Sequence, residues 1–137
     1  NYEKKLSGPL LDRIDITIPI SAPNKSVLFN STTTSTLEHA NAKLQIKRAL
    51  NKQFNRYQDH QKTNASLASY EVTNYIKLTK TAKELLNDAA NRYQLSARAY
   101  FKVIKVAQTI ADIAEDDSLE VTKAHIAEAL HFRNNLA

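Results

Sequence analysis

The sequence predicts an all-α fold, a bundle of four to five helices that follows a short extended segment. A single glycine occurs among the 137 residues, and all three prolines lie at or before Pro23. Turn-rich β-sandwiches and barrels need many residues at positive φ, where glycine is the usual occupant. From about residue 35 onward, apolar residues recur at helical spacing. An all-β body is therefore excluded.

The composition excludes several classes of chemistry. Because the chain has no cysteine, it has no disulfide, no thiol nucleophile and no cysteine-ligated zinc. A single glycine cannot form the glycine-rich loops that bind phosphate. The four histidines lack the i, i+4 spacing of a helical metal site, so we expect no metal and no catalysis by this chain alone. No apolar run reaches the ~18 residues of a membrane span and no signal peptide is visible, so we expect a cytoplasmic protein.

The first 34 residues differ from the remainder of the chain. Isoleucine occupies every second position from Ile14 to Ile20, which is typical of a strand. No later segment offers this strand a partner, so we infer that its sheet lies outside the chain. The Ser-Thr-Thr-Thr stretch that follows indicates a linker. We therefore expect two parts: residues 1–34, the flexible tail of another domain, and residues 35–137, a helical domain.

Apolar spacing and capping residues predict the helices. Each helix is expected to begin at a serine or threonine whose side chain accepts a hydrogen bond from an unpaired amide of the first turn. The predicted helices span residues 35–57, a short stretch from Ser69, residues 80–93 with a capping box at Thr81-x-x-Glu84, residues 97–114 capped by Ser96, and residues 123–133 capped by Thr122.

Most of the net charge of +5 lies in the first predicted helix. Its apolar face is expected to consist of Ala42, Ile46, Ala49, Leu50 and Tyr57. Three basic residues are expected to form a stripe opposite that face: Arg48, Lys52 and Arg56. Two more basic residues are expected at the border of the apolar face, Lys43 and Lys47. Such a stripe can neutralise the phosphates of DNA. The alternatives are a solvated face or a contact with another subunit.

A family resemblance is carried by several motifs. They are Leu6-Ser7-Gly8-Pro9-Leu10-Leu11-Asp12-Arg13-Ile14-Asp15-Ile16, Asn64-Ala65-x-Leu67, Leu95-Ser96-x-Arg98-Ala99, Thr109-Ile110-Ala111-Asp112 and Glu128-Ala129-Leu130-x-x-Arg133. Their order resembles the end of the AAA+ core and the whole helical lid of Mg-chelatase-like ATPases, most closely the competence-associated subfamily. Gln108 and Leu50 depart from the family, which often has arginine at these positions.

The resemblance implies the lid of a hexameric, ATP-driven DNA motor that acts on recombination intermediates during DNA uptake. ATP and Mg²⁺ would bind the parent chain between core, lid and the neighbouring subunit of a homo-oligomeric ring, with no cofactor on this fragment alone. One alternative is a chelatase-like motor that remodels a metal-inserting protein partner. Another is a stand-alone helical adaptor, against which the orphan strand argues.

Two arginines acquire roles from the resemblance. Arg13 is similar to the arginine finger, which neutralises charge on the γ-phosphate of a neighbouring subunit's nucleotide. The alternative is an ordinary arginine held by Asp12 and Asp15. Arg98 is similar to sensor 2, which contacts the γ-phosphate within its own subunit. The alternative is a solvated arginine on a polar face that it shares with Lys102 and Lys105.

Overall fold

The computed structural model describes residues 12–22, 36–114 and 120–133. These ranges contain five helices: α1 (Thr36–Tyr57), α2 (Ser69–Tyr75), α3 (Lys80–Tyr93), α4 (Ala97–Ile113) and α5 (Lys123–His131). A 3₁₀ turn, Asn64–Ser66, lies between α1 and α2. The described residues contain no β-strand, which confirms the predicted all-α class. Residues 1–11 and 23–35, with most of the predicted tail and linker, lie outside the described ranges.

Helix α4 is the centre of the bundle. It packs against α1, α2 and α5, and α3 packs against α5. Its buried apolar residues recur at the predicted helical spacing: Ala99, Val103, Ile104, Ala107 and Ala111. Burial of each larger aliphatic side chain contributes roughly 1.5–3 kcal/mol. Val121 and Ile126 are fully buried where α5 begins, as expected of a hydrophobic staple.

The helix caps agree with the sequence at α4 and differ from it at α3. Ser96 Oγ accepts a hydrogen bond from the Ala99 amide at 3.1 Å, which confirms the predicted cap of α4. Helix α3 is capped by Thr79, whose Oγ1 accepts from the Ala82 amide at 3.2 Å. The capping box predicted at Thr81 is wrong, because the helix has already begun before that residue.

The caps of α2 and α5 use the third helical residue. The predicted cap Ser69 is wrong, since Ala68 occupies the cap position and the Glu71 carboxylate accepts from its amide at 2.8 Å. Thr122 occupies the predicted cap position of α5, where His125 Nδ1 accepts from the Thr122 amide at 3.1 Å. In both helices, a side chain in the first turn satisfies an amide that the helix leaves unpaired.

Helix α1 is longer than the surface on which it packs. Its side chains from residue 37 to residue 48 are all exposed, whereas Ala49, Gln53 and Tyr57 are buried. The predicted apolar face is therefore right at Ala49 and Tyr57 and wrong in the first half of the helix, where Ile46 is 56% exposed. Helical periodicity continues past the end of the bundle, so it does not reveal where packing stops.

Residues 12–22 form no strand. The Thr17 amide donates to the Phe132 carbonyl at 2.9 Å, which ties the segment to the end of α5. The isoleucines of the predicted strand are exposed, from 42% at Ile14 to 91% at Ile20. The sheet that this segment would join stays a prediction.

Candidate nucleotide and nucleic-acid sites

The segment that carries Arg13 is fixed to the start of α4 and the end of α5. Ser96 Oγ donates to Asp12 Oδ2 at 2.8 Å. Arg133 Nη2 donates to Asp12 Oδ1 at 3.3 Å. Asp12 therefore connects its own motif to the motifs that contain Ser96 and Arg133, which are distant in sequence.

Arg13 and Arg98 lie at the same end of the molecule. Arg13 directly follows Asp12, and Arg98 comes two residues after Ser96 in the first turn of α4. Because Asp12 and Ser96 are hydrogen-bonded, the segment that contains Arg13 lies beside the first turn of α4, which contains Arg98. Both residues are exposed. The N-terminus of α4 adds partial positive charge at this end.

The lysines that share a polar face with Arg98 are partly buried and bound to the protein. Lys102 Nζ pairs with Asp15 Oδ1 at 2.5 Å. Lys105 Nζ donates to the carbonyl of Ala65 at 3.2 Å and also to the carbonyl of Leu67. Burial lowers the pKa of Lys105. For these two lysines, contacts to residues 12–22 and to the segment of the 3₁₀ turn replace a solvated face, whereas Arg98 itself is exposed.

A buried hydrogen-bond network joins α1, the 3₁₀ turn and α4. Its centre is Asn64, which is 2% exposed. Asn64 Nδ2 donates to Asp112 Oδ2 and to Thr109 Oγ1, both at 2.9 Å. Asn64 Oδ1 accepts from Arg56 Nη1 at 3.2 Å and from the Tyr57 hydroxyl. Two motifs of the family resemblance therefore meet in this network.

Arg56 provides the charge that balances Asp112. Two hydrogen bonds join the Arg56 guanidinium to the Asp112 carboxylate, one of them 3.1 Å long. Burial lowers the pKa of Arg56, but the hydrogen bond and the charge of Asp112 outweigh burial, so the net shift is upward. Gln108 also donates to Asp112 Oδ1 at 3.1 Å. Arg56 thus has a structural role that its sequence pattern did not indicate.

The five basic residues predicted to bind nucleic acid fall into two groups. Three are exposed on the projecting part of α1: Lys43, Lys47 and Arg48. Lys52 and Arg56 are half-buried beside the packed face, and Lys52 Nζ donates to the carbonyl of Ala114 at 3.1 Å. The prediction that the stripe lies opposite the core is therefore wrong for Lys52 and Arg56, because the packed face of α1 includes Gln53.

A polar cleft of about 650 Å³ lies between α1 and the C-terminal end of α4. Its α1 wall is formed by Gln45, Arg48, Asn51, Lys52 and Asn55. Amide and basic side chains are the groups that donate to phosphate oxygens in nucleic-acid complexes. The three amide residues were missed because they carry no charge, although they lie three or four positions from basic residues on one helix face.

Two further properties concern the described residues as a set. They contain no group of three or more histidine, aspartate and glutamate side chains able to hold a metal ion. Among their helices, none has the length and apolar character needed to cross a membrane.

Comparison with known proteins identifies the family. Residues 36–133 match the family described as magnesium chelatase, subunit ChlI C-terminal. The chain is 35% identical over 132 residues to uncharacterized protein YifB of Escherichia coli and 32% identical over 133 residues to competence protein ComM of Haemophilus influenzae. Each alignment covers 96% of this chain and 25% of the relative, so the chain spans about a quarter of the curated relatives. As its motifs predicted, the chain belongs to the magnesium chelatase subunit ChlI C-terminal family.

Proposed function

We propose that this chain is the C-terminal lid of a Mg-chelatase-like AAA+ motor that hydrolyses ATP as a homo-oligomeric ring. The hydrogen bond from Ser96 to Asp12 carries the proposal, because it joins the segment of Arg13 to the helical turn of Arg98. Two exposed arginines at one end of a helix suit phosphoryl transfer, since a guanidinium pairs with phosphate oxygens through two parallel hydrogen bonds. The remaining parts of the ATP and Mg²⁺ site belong to the parent protein and its neighbouring subunit.

In this proposal, Arg13 and Arg98 act on the same nucleotide. The resemblance implies a finger that acts on the neighbouring subunit and a sensor that acts within its own subunit. The proximity of Asp12 and Ser96 supports a single junction instead, in which the lid of one subunit faces the nucleotide held by the next. Arg13 would neutralise charge that develops on the γ-phosphate, and Arg98 would respond to whether that phosphate is present.

In this proposal, DNA is the molecule on which the motor acts. Lys43, Lys47 and Arg48 are exposed on the projecting part of α1, beside a cleft rich in amide and basic groups. About 12 exposed helical residues span ~18 Å, enough to contact several phosphates of one strand. One relative is described as a competence protein, which supports a role in DNA uptake. Branch migration of recombination intermediates is the motor activity that we propose for that role.

A chelatase-like motor that remodels a metal-inserting protein partner is the second candidate, and the family's description as a magnesium chelatase subunit favours it. ATP turnover of the full-length protein, measured with single-stranded, double-stranded and branched DNA, separates the two candidates. The DNA motor predicts stimulation of about tenfold that falls steeply between 50 and 200 mM salt, roughly the range over which phosphate contacts weaken. Turnover that is insensitive to all three DNAs would contradict a DNA client and favour the protein partner.

A further inference from the structure

Arg13 lies between attachment points that fix its segment to the bundle. Before it, the Asp12 carboxylate accepts one hydrogen bond from Ser96 at 2.8 Å and one from Arg133 at 3.3 Å. The donors belong to two different parts of the bundle, the start of α4 and the residues after α5. The side chains of Asp12 and Arg133 are 30% and 11% exposed. Dissolved salt therefore weakens the electrostatic attraction of this pair less than that of a fully exposed pair.

Two further attachments follow Arg13. Asp15 Oδ1 pairs with Lys102 Nζ at 2.5 Å, and the Thr17 amide donates to the Phe132 carbonyl at 2.9 Å. Helix α4 therefore holds the segment on both sides of Arg13, and the end of α5 does the same. A large shift of the Arg13 backbone relative to α4 therefore requires these attachments to rearrange.

Asp12 is the most important of these attachments. Its carboxylate accepts hydrogen bonds from two donors on different elements, one of them charged, and charge-assisted bonds are the stronger kind. Arg133 Nε is buried and has no hydrogen-bond partner in the part of the chain that the structure describes, so loss of Asp12 would leave this guanidinium still less satisfied. Asp15 is 57% exposed, and such exposed pairs contribute little.

We propose that Asp12 is a positioning residue that holds Arg13 at a fixed position relative to the helical bundle. The inference rests on the proposed function and adds to it a mechanical connection between the finger and the lid. The hydrogen bond from Ser96 to Asp12 keeps the segment of Arg13 beside the helical turn of Arg98, so both arginines would be presented to the phosphate in a fixed arrangement. Without this connection, the bundle could take a different position relative to Arg13.

The substitution Ser96→Asp tests the connection without removing the helix cap. Aspartate caps a helix as well as serine does, but a carboxylate at this position repels Asp12. Thr79→Asp, at the cap of α3, makes the same change on another helix and is the matched control. In the double variant Asp12→Asn, Ser96→Asp, the new amide at position 12 donates to the new carboxylate at position 96, and the net charge equals that of the unmodified chain.

We expect Ser96→Asp to lower ATP turnover of the full-length protein about 100-fold, as a misplaced catalytic group does. ATP affinity should stay within about twofold, since the lost interaction acts in the transition state. In the 137-residue chain, the Thr17 amide should exchange with solvent about tenfold faster in this variant. The double variant should recover both turnover and amide protection, and Thr79→Asp should change neither.

Unchanged turnover and unchanged Thr17 protection in Ser96→Asp would overturn the connection. A defect that the double variant does not repair would also overturn it, because the defect would then come from the carboxylate at position 96 itself and not from its repulsion of Asp12. Full turnover in Arg13→Ala would instead overturn the proposed function, and the positioning role with it. Amide exchange distinguishes failure of the connection from failure of the proposed function. If only the proposed function fails, Ser96→Asp still accelerates exchange of the Thr17 amide.

Discussion

Asn64 and Asp112 lie 48 residues apart, and the Asn64 side-chain amide donates to Asp112 Oδ2 at 2.9 Å. Each residue is only 2% exposed. Arg56 and Gln108 also donate to the same carboxylate. A buried network in which the polar groups have hydrogen-bond partners permits few alternative arrangements. This network therefore fixes how α1 and the 3₁₀ turn pack against α4.

The first prediction concerns Asp112. Asp112→Ala leaves the partly buried Arg56 guanidinium without its carboxylate, and we expect the free energy of unfolding to fall by about 3 kcal/mol. Urea unfolding of the 137-residue chain measures this value. Asp88→Ala, on the exposed side of α3, is the control and should change stability by less than about 0.5 kcal/mol. A loss in Asp112→Ala as small as that of the control would contradict the structural role of the network.

The second prediction concerns pH. Hydrogen bonds from Lys62 Nζ and the Ala68 amide lower the pKa of Glu71 in the folded chain. Because the folded-state pKa lies below the unfolded value, the contribution of Glu71 to stability is full above the unfolded pKa of about 4.3 and is lost as the pH falls through the folded pKa. Glu71→Gln should therefore lower the thermal midpoint at pH 7, and this deficit should shrink progressively below about pH 4.

Thermal unfolding of Glu71→Gln and of the unmodified chain, followed from pH 7 down to pH 3, measures that deficit. Glu84→Gln, an exposed change on α3, corrects for the general effect of removing one negative charge. A deficit of constant size across the whole pH range would show that the carboxylate charge of Glu71 is not responsible.

The third prediction concerns DNA binding by the projecting part of α1. Replacing Lys43, Lys47 and Arg48 by glutamate removes three exposed positive charges. It leaves Lys52 and Arg56 in their contacts with the end of α4 and the residue that follows it. If each basic residue neutralises one phosphate, the slope of log affinity against log salt should decrease by roughly 2 to 3. Fluorescence anisotropy with double-stranded DNA at several salt concentrations measures this slope.

The control for that experiment makes the same change in net charge elsewhere. Lys77, Lys80 and Lys83 are exposed around the start of α3, and replacing them by glutamate also alters the charge by six units. Equal losses of affinity in the two triple variants would show that DNA is attracted by the net charge of the protein and not by a specific surface on α1. Unchanged DNA affinity of the α1 variant would show that DNA contacts another surface of the protein.

The first helix shows what sequence periodicity can and cannot predict. Its extent and its buried positions Ala49 and Tyr57 follow from the spacing of apolar residues, and the structure confirms both. The same spacing wrongly predicts burial of Ile46, because the apolar pattern continues beyond the end of α4. A basic residue beside the packed face, such as Arg56, looks solvated in sequence because its partner Asp112 comes from a distant helix.

The region around Asp12 shows a second limit. The motif containing Arg13 and the motif containing Arg98 can both be found in the sequence, and their resemblance predicts phosphate contacts. Their proximity cannot be found there, since it depends on a hydrogen bond between Asp12 and Ser96 across 84 positions. Such long-range contacts arise from packing of the whole bundle and leave no local pattern.

The central claim is that Arg13 completes a nucleotide site at a subunit junction, and steady-state ATP hydrolysis by full-length Arg13→Ala tests it most directly. We expect turnover to fall about 1,000-fold or more, because a missing arginine finger leaves transition-state charge uncompensated. ATP binding should stay within about threefold, and Arg92→Ala on the exposed side of α3 should behave like the unmodified protein. Unchanged turnover in Arg13→Ala would contradict the claim.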